Sequence, residues 1–156
     1  MNEESMSALQ LLLERATQER DRLAGELRRG EEVALREARQ GDQLRNYRGE
    51  YLQRWSTQFG RGSTMEIVNC YQSFMQRLDE AVSQQQRQVE AAQRGVAAVR
   101  QALMQAEQRV ASIRKLMERR RAETLRAQER RDQRQTDETA QQQVLRRARQ
   151  GLSLQH

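Results

Sequence analysis

The chain contains no proline. A proline inside a helix costs roughly 3 kcal/mol, so nothing here forbids long uninterrupted helices. Cysteine is nearly absent as well. Cys70 stands alone, which excludes an internal disulfide and fits a reducing compartment. Its expected role is that of a small buried hydrophobe. Aromatic residues make up 4% of the chain and apolar residues 36%, too little to build a globular core across 156 residues. The longest apolar run is Leu11-Leu12-Leu13, far short of the roughly 20 residues of a membrane span. The opening Met-Asn-Glu-Glu is acidic and unlike a secretory signal. A cytoplasmic location is therefore expected. The single histidine, His156, is the last residue and is expected to be frayed. No metal-ligand cluster, glycine-rich phosphate loop or nucleophile–base arrangement is present. The expectation is a non-enzyme with no catalytic residue, cofactor or metal.

What the chain does have is a period. Met75, Val82, Val89, Val96, Leu103, Val110, Met117 and Thr124 recur every seven residues. A second column runs three residues behind: Leu78, Gln85, Ala92, Val99, Ala106, Ile113, Arg120 and Ala127. These are the a and d positions of a heptad seam. A straight α-helix drifts against a seven-residue period, so holding it means supercoiling around a partner helix. The charged fraction of 32% with few aromatics is also a mark of disorder, but a disordered chain would not keep the period.

The first helix is predicted over about 5–56. Its seam reads Leu9, Leu13, Ala16, Arg20, Leu23, Leu27, Gly30, Ala34, Glu37, Gly41, Leu44, Arg48, Tyr51 and Trp55. Arg20, Glu37 and Arg48 interrupt it with charge. Gly30 and Gly41 fall on it, either as tolerated drift or to allow close helix approach or local flexibility. A bend follows at 57–63, where Gly60 and Gly62 end the helix. Ser63 and Glu66 have the spacing of a capping box, the start signal of a second helix over about 64–149. The short connection folds the two helices back on each other. The predicted fold is all-α, one domain over 1–156: a long antiparallel two-helix coiled-coil hairpin with unequal arms. Paired from the bend, the first helix ends opposite about 111–121. Beyond Arg131 the seam fades, and Gln141-Gln142-Gln143 with Arg146-Arg147 read as a solvated or frayed tail.

Two stretches are candidates for function. All six aromatics lie between residues 47 and 74: Tyr47, Tyr51, Trp55, Phe59, Tyr71 and Phe74. Tyr47, Tyr51 and Trp55 share a helix face, and the hairpin brings Tyr51 near Phe74. Such a cluster can pin the hairpin end. Two helices cannot bury six aromatics, so some are left for a partner. The second stretch is basic. Net charge is +6, but residues 1–50 carry eleven acids against nine arginines, while residues 107–156 carry seven acids against thirteen bases. Arg109, Arg114, Lys115, Arg119, Arg120, Arg121, Arg126, Arg130, Arg131 and Arg134 populate the long helix. Nucleic acid is not the expected partner, since no base-stacking aromatic is present there and Glu118, Glu123, Glu129 and Asp132 dilute the charge. An acidic protein partner fits better.

The pattern Gln40-x3-Leu44-x2-Tyr47-x3-Tyr51, a glycine bend, then Tyr71-x2-Phe74-x3-Leu78-x2-Ala81 resembles the FliJ family of the flagellar type III export apparatus. The opening Leu9-x3-Leu13-Glu14-Arg15-Ala16 and the length agree with it. The resemblance implies an antiparallel coiled coil similar to the central stalk of rotary F-type ATPases, probing the pore of a hexameric export ATPase with both termini. It implies a role in assembling that ATPase ring, coupling it to the cytoplasmic domain of the transmembrane export gate, and escorting export chaperones. The implied location is cytoplasmic and peripheral to the inner membrane at the flagellar base, reached through partners. By resemblance the gate-binding surface comprises Gln40, Leu44, Tyr47, Tyr51, Phe74, Leu78, Ala81 and Gln85, the last standing where relatives can carry histidine. Several of these lie at the hairpin seam and can serve the gate contact by holding the hairpin's shape. The ring contact is expected at Arg114, Lys115, Arg119, Arg120, Arg121 and Arg126. A monomeric hairpin is the expected state. A parallel homodimeric rod, a binder of nucleic acid or anionic surfaces, and the equivalent stalk of a virulence secretion system remain open alternatives.

Overall fold

The computed structural model describes residues 2–58 and 62–153. They form two α-helices, α1 over Asn2–Gln58 and α2 over Met65–Ser153, of 57 and 89 residues. The all-α antiparallel hairpin with unequal arms read from the period is the fold observed. Both helices run further than expected. Glu3 and Glu4 in the first turn of α1 complement its dipole, and the helix starts at Asn2, not Ser5. At its other end the Ser56 and Thr57 hydroxyls donate to the carbonyl of Gln53, each at 3.0 Å. These hydroxyls turn back onto the helix's own backbone, and residues 57 and 58 are helix instead of bend.

The start of α2 also differs by a residue. The carbonyl of Thr64 accepts the first helical bond from the Val68 N–H at 3.1 Å. The Thr64 hydroxyl accepts the Ile67 N–H at 3.4 Å. Thr64 is therefore the N-cap, with Met65 the first helical residue. Gly62 has φ of 80°, the left-handed turn that glycine supplies without strain. Phe59 and Gly60, assigned to the bend from sequence, lie outside the described residues.

Contacts group the chain into two compact units. The unit Thr17–Glu107 holds the bend and both helices around it. Its apolar seam is Leu23 on α1 and Met75, Leu78, Val89 and Val96 on α2, all buried. The three charged interruptions of the α1 seam each find a partner. Arg20 pairs with Asp21 at 3.0 Å, Arg48 with Asp79 across the helices, and Glu37 with Gln85 across the helices. Gly30 is a close-approach glycine, because a methyl there would stand 3.4 Å from Val96 Cγ2. On the outer face Arg22 bonds Glu19 and Glu26, and that bond holds the Glu19 carboxyl below its ordinary range.

The second unit comprises Met1–Ala16 and Gln108–His156. Leu9 and Ala16 of α1 and Val110 and Met117 of α2 are its buried side chains, with Val110 the most enclosed at 2% exposure. The seam's last partly buried member is Ala127. Residues 128–153 are exposed throughout, yet helical to Ser153. The tail is solvated but not frayed. Arginine, glutamine and alanine favour helix, and that propensity outweighs Thr136 and Thr139, whose hydroxyls donate back to the carbonyls four residues earlier at 2.8 Å.

Candidate partner-binding surfaces

The heptad frame decides which side chains are available. Positions on the seam face the other helix, and positions off it face solvent. The five described aromatics straddle the frame near the bend. Trp55 stacks on Tyr71, centroids 4.0 Å apart. Tyr71 continues the stack to Tyr51 at 5.9 Å, and Tyr51 meets Phe74 at 4.4 Å. Tyr47 closes the group edge-on to Phe74 at 6.5 Å. The predicted meeting of Tyr51 and Phe74 is present. The Trp55–Tyr71 stack was not foreseen, since it depends on the register across the bend.

The eight residues assigned to gate binding separate by exposure. Gln40 and Tyr47 are exposed, Tyr47 at 48%. Leu44, Tyr51, Phe74, Ala81 and Gln85 are half-buried, and Leu78 is buried at 7%. Only part of the set can touch a second protein without the helices parting. Sequence reasoning overlooked the exposed Met65 and Ile67, of which Ile67 lies beside the cluster. Ile67, Cys70, Phe74 and Arg77 line a shallow groove with Trp55 and Tyr71. The i, i+4, i+7 spacing of Ile67, Tyr71 and Phe74 was the signal available. Cys70 is exposed and not a buried hydrophobe. It sits at a c position, on the outer side of α2.

The basic stretch is likewise sorted by the frame. Arg114, Lys115, Arg119, Arg121 and Arg126 are exposed, whereas Arg120 occupies a d position and is half-buried. The outward cations stand at c, e and f positions, a broad arc that takes in most of the solvent side of α2. Arg126, Glu129, Arg130 and Gln133 line a shallow surface depression further on, and the Arg130 Nε–H donates to the Arg126 carbonyl at 3.3 Å. Among the described residues no group of acids, cysteines or histidines could hold a metal. No described helix is long and apolar enough to cross a membrane. His156 lies outside the described residues.

The family model described as Flagellar FliJ protein matches residues 6–149. The flagellar FliJ protein of Salmonella typhi is 29% identical over 143 residues, covering 92% of this chain and 95% of the relative. The Escherichia coli K12 flagellar FliJ protein matches with the same identity and coverage. No solved structure matches.

Proposed function

The chain belongs to the FliJ family, a non-catalytic structural component of the flagellar export apparatus, and on that premise we propose that it is the stalk joining the export ATPase ring to the export gate. In this reading the aromatic end near the bend meets the cytoplasmic domain of the transmembrane gate. Tyr47 and Gln40 are the outward contacts, and Leu44, Tyr51, Phe74, Leu78 and Ala81 shape the surface beneath them. The arginine arc at Arg114, Lys115, Arg119, Arg121 and Arg126 meets acidic groups of the hexameric ATPase and promotes ring assembly. Arg120 contributes from the seam. Export chaperones are its third class of partner. The protein works in the cytoplasm and reaches the membrane through these partners.

One observation supports this most: exposed aromatic surface and exposed cationic surface occupy different stretches of one helical scaffold. A protein that only filled space would need neither. Aromatic side chains at a rim favour a protein partner, and unpaired cations favour one of opposite charge. The test is to add the purified chain to its cognate export ATPase, following ATP hydrolysis and ring formation by electron microscopy. Faster hydrolysis with more closed rings supports the stalk reading. No effect on either leaves a chaperone-binding coiled coil.

A further inference from the structure

Gln85 occupies a d position of the α2 seam, where an apolar residue packs best. Its amide nitrogen donates to the backbone carbonyl of Glu37 at 2.9 Å and to the Glu37 carboxylate at 2.5 Å. Gly41 leaves room for this crossing, since even a methyl there would stand 3.7 Å from Gln85 Cγ, an ordinary contact. Two further cross-helix links lie toward the bend, Arg45 to Gln86 at 3.4 Å and Arg48 to Asp79.

The apolar seam alone does not fix how the helices are aligned. Val82, Val89 and Val96 fill three successive a positions with the same residue. A slip of one heptad would therefore exchange valine for valine. The Gln85 layer is different. Slipped one way it would face the level of Gly30, and slipped the other way the level of Leu44. Neither level carries a seam carboxylate. A polar seam residue costs stability and in return selects one alignment.

We propose that Gln85 is a positioning residue: with Glu37 it locks the register that sets Tyr47 and Tyr51 of α1 over Phe74 of α2. Its effect on gate binding is indirect, and it makes no contact with the gate. This inference rests on the proposed gate surface near the bend.

Register is read directly by disulfide trapping in the full chain with Cys70→Ser. One version carries Gly30→Cys and Val96→Cys, the neighbours in the observed register. A second carries Gly30→Cys and Val89→Cys, one heptad apart, too far for a disulfide without movement. With Gln85 present, only the first pair should close. Adding Gln85→Leu should raise closure of the second pair at least tenfold and weaken gate-domain binding several-fold, with helicity and melting temperature undiminished. Gln85→Lys, which can still donate to Glu37, should restore a single register and gate binding. Unchanged trapping in Gln85→Leu overturns the lock. Weakened gate binding with the register still single also overturns it, because Gln85 would then touch the gate itself. If the unaltered chain fails to bind the gate domain, the parent reading falls, while trapping still decides the lock.

Discussion

Glycine is costly inside a helix, and α1 carries four. Their surroundings separate them. A methyl at Gly49 would meet nothing within 4 Å, so Gly49→Ala should stabilise the chain by about 1 kcal/mol. At Gly30 the methyl would press on Val96 at 3.4 Å, and the same gain should be largely cancelled. Thermal melts followed by circular dichroism check both, and equal gains would mean the two helices are not in close contact at Gly30. Tyr47 is the residue-scale test of the aromatic surface. It is half exposed and off the strict seam. Tyr47→Ala should lower gate binding with helical signal intact, whereas a collapse of that signal would assign the ring to holding the hairpin end. The sequence made Tyr47 and the seam legible because a period specifies a face. It could not reveal that Glu37 meets Gln85, or that Trp55 stacks on Tyr71. Those pairs depend on how one helix is aligned along the other, which the repeating valines leave open.

At the scale of the element, the distal end of α2 runs past the point where its hydrophobic pattern fades. A fading pattern is not a fading helix. The pattern reports burial, while persistence of helix depends on propensity and on the absence of breakers. In α2 the two separate cleanly, because the seam loses its last partly buried member at Ala127 and the helix continues to Ser153. Removing residues 132–156 should thus change unfolding free energy by no more than the ~0.5 kcal/mol typical of surface changes, even as total helical signal falls. A melting temperature lowered by many degrees would show that the segment packs against something. The short connection behaved differently. Glycine and hydroxyl residues there are read by local chemistry, so the turn at Gly62 and the cap near Ser63 were legible to within one residue.

On the scale of the whole molecule, charge and aromaticity are segregated along the sequence. The aromatics fall within residues 47–74, and residues 107–156 carry the basic excess. The two proposed contacts should therefore fail independently. Reversing Arg114, Arg119 and Arg121 to glutamate places acids on an exposed arc without entering the seam, so folding should be unaffected. Arg120 is left untouched because it is half-buried, and a carboxylate there would confound stability with binding. If acidic groups of the ATPase meet this arc, the triple variant should bind the ring at least tenfold more weakly at low salt. The deficit should shrink as salt rises, since screening weakens attraction in the native chain and repulsion in the variant alike. Gate binding should stay at its original strength in the same preparation, and Tyr47→Ala should give the opposite pattern. Equal loss of both contacts in either variant would mean that they share a surface, and the stalk reading, which needs two, would fail.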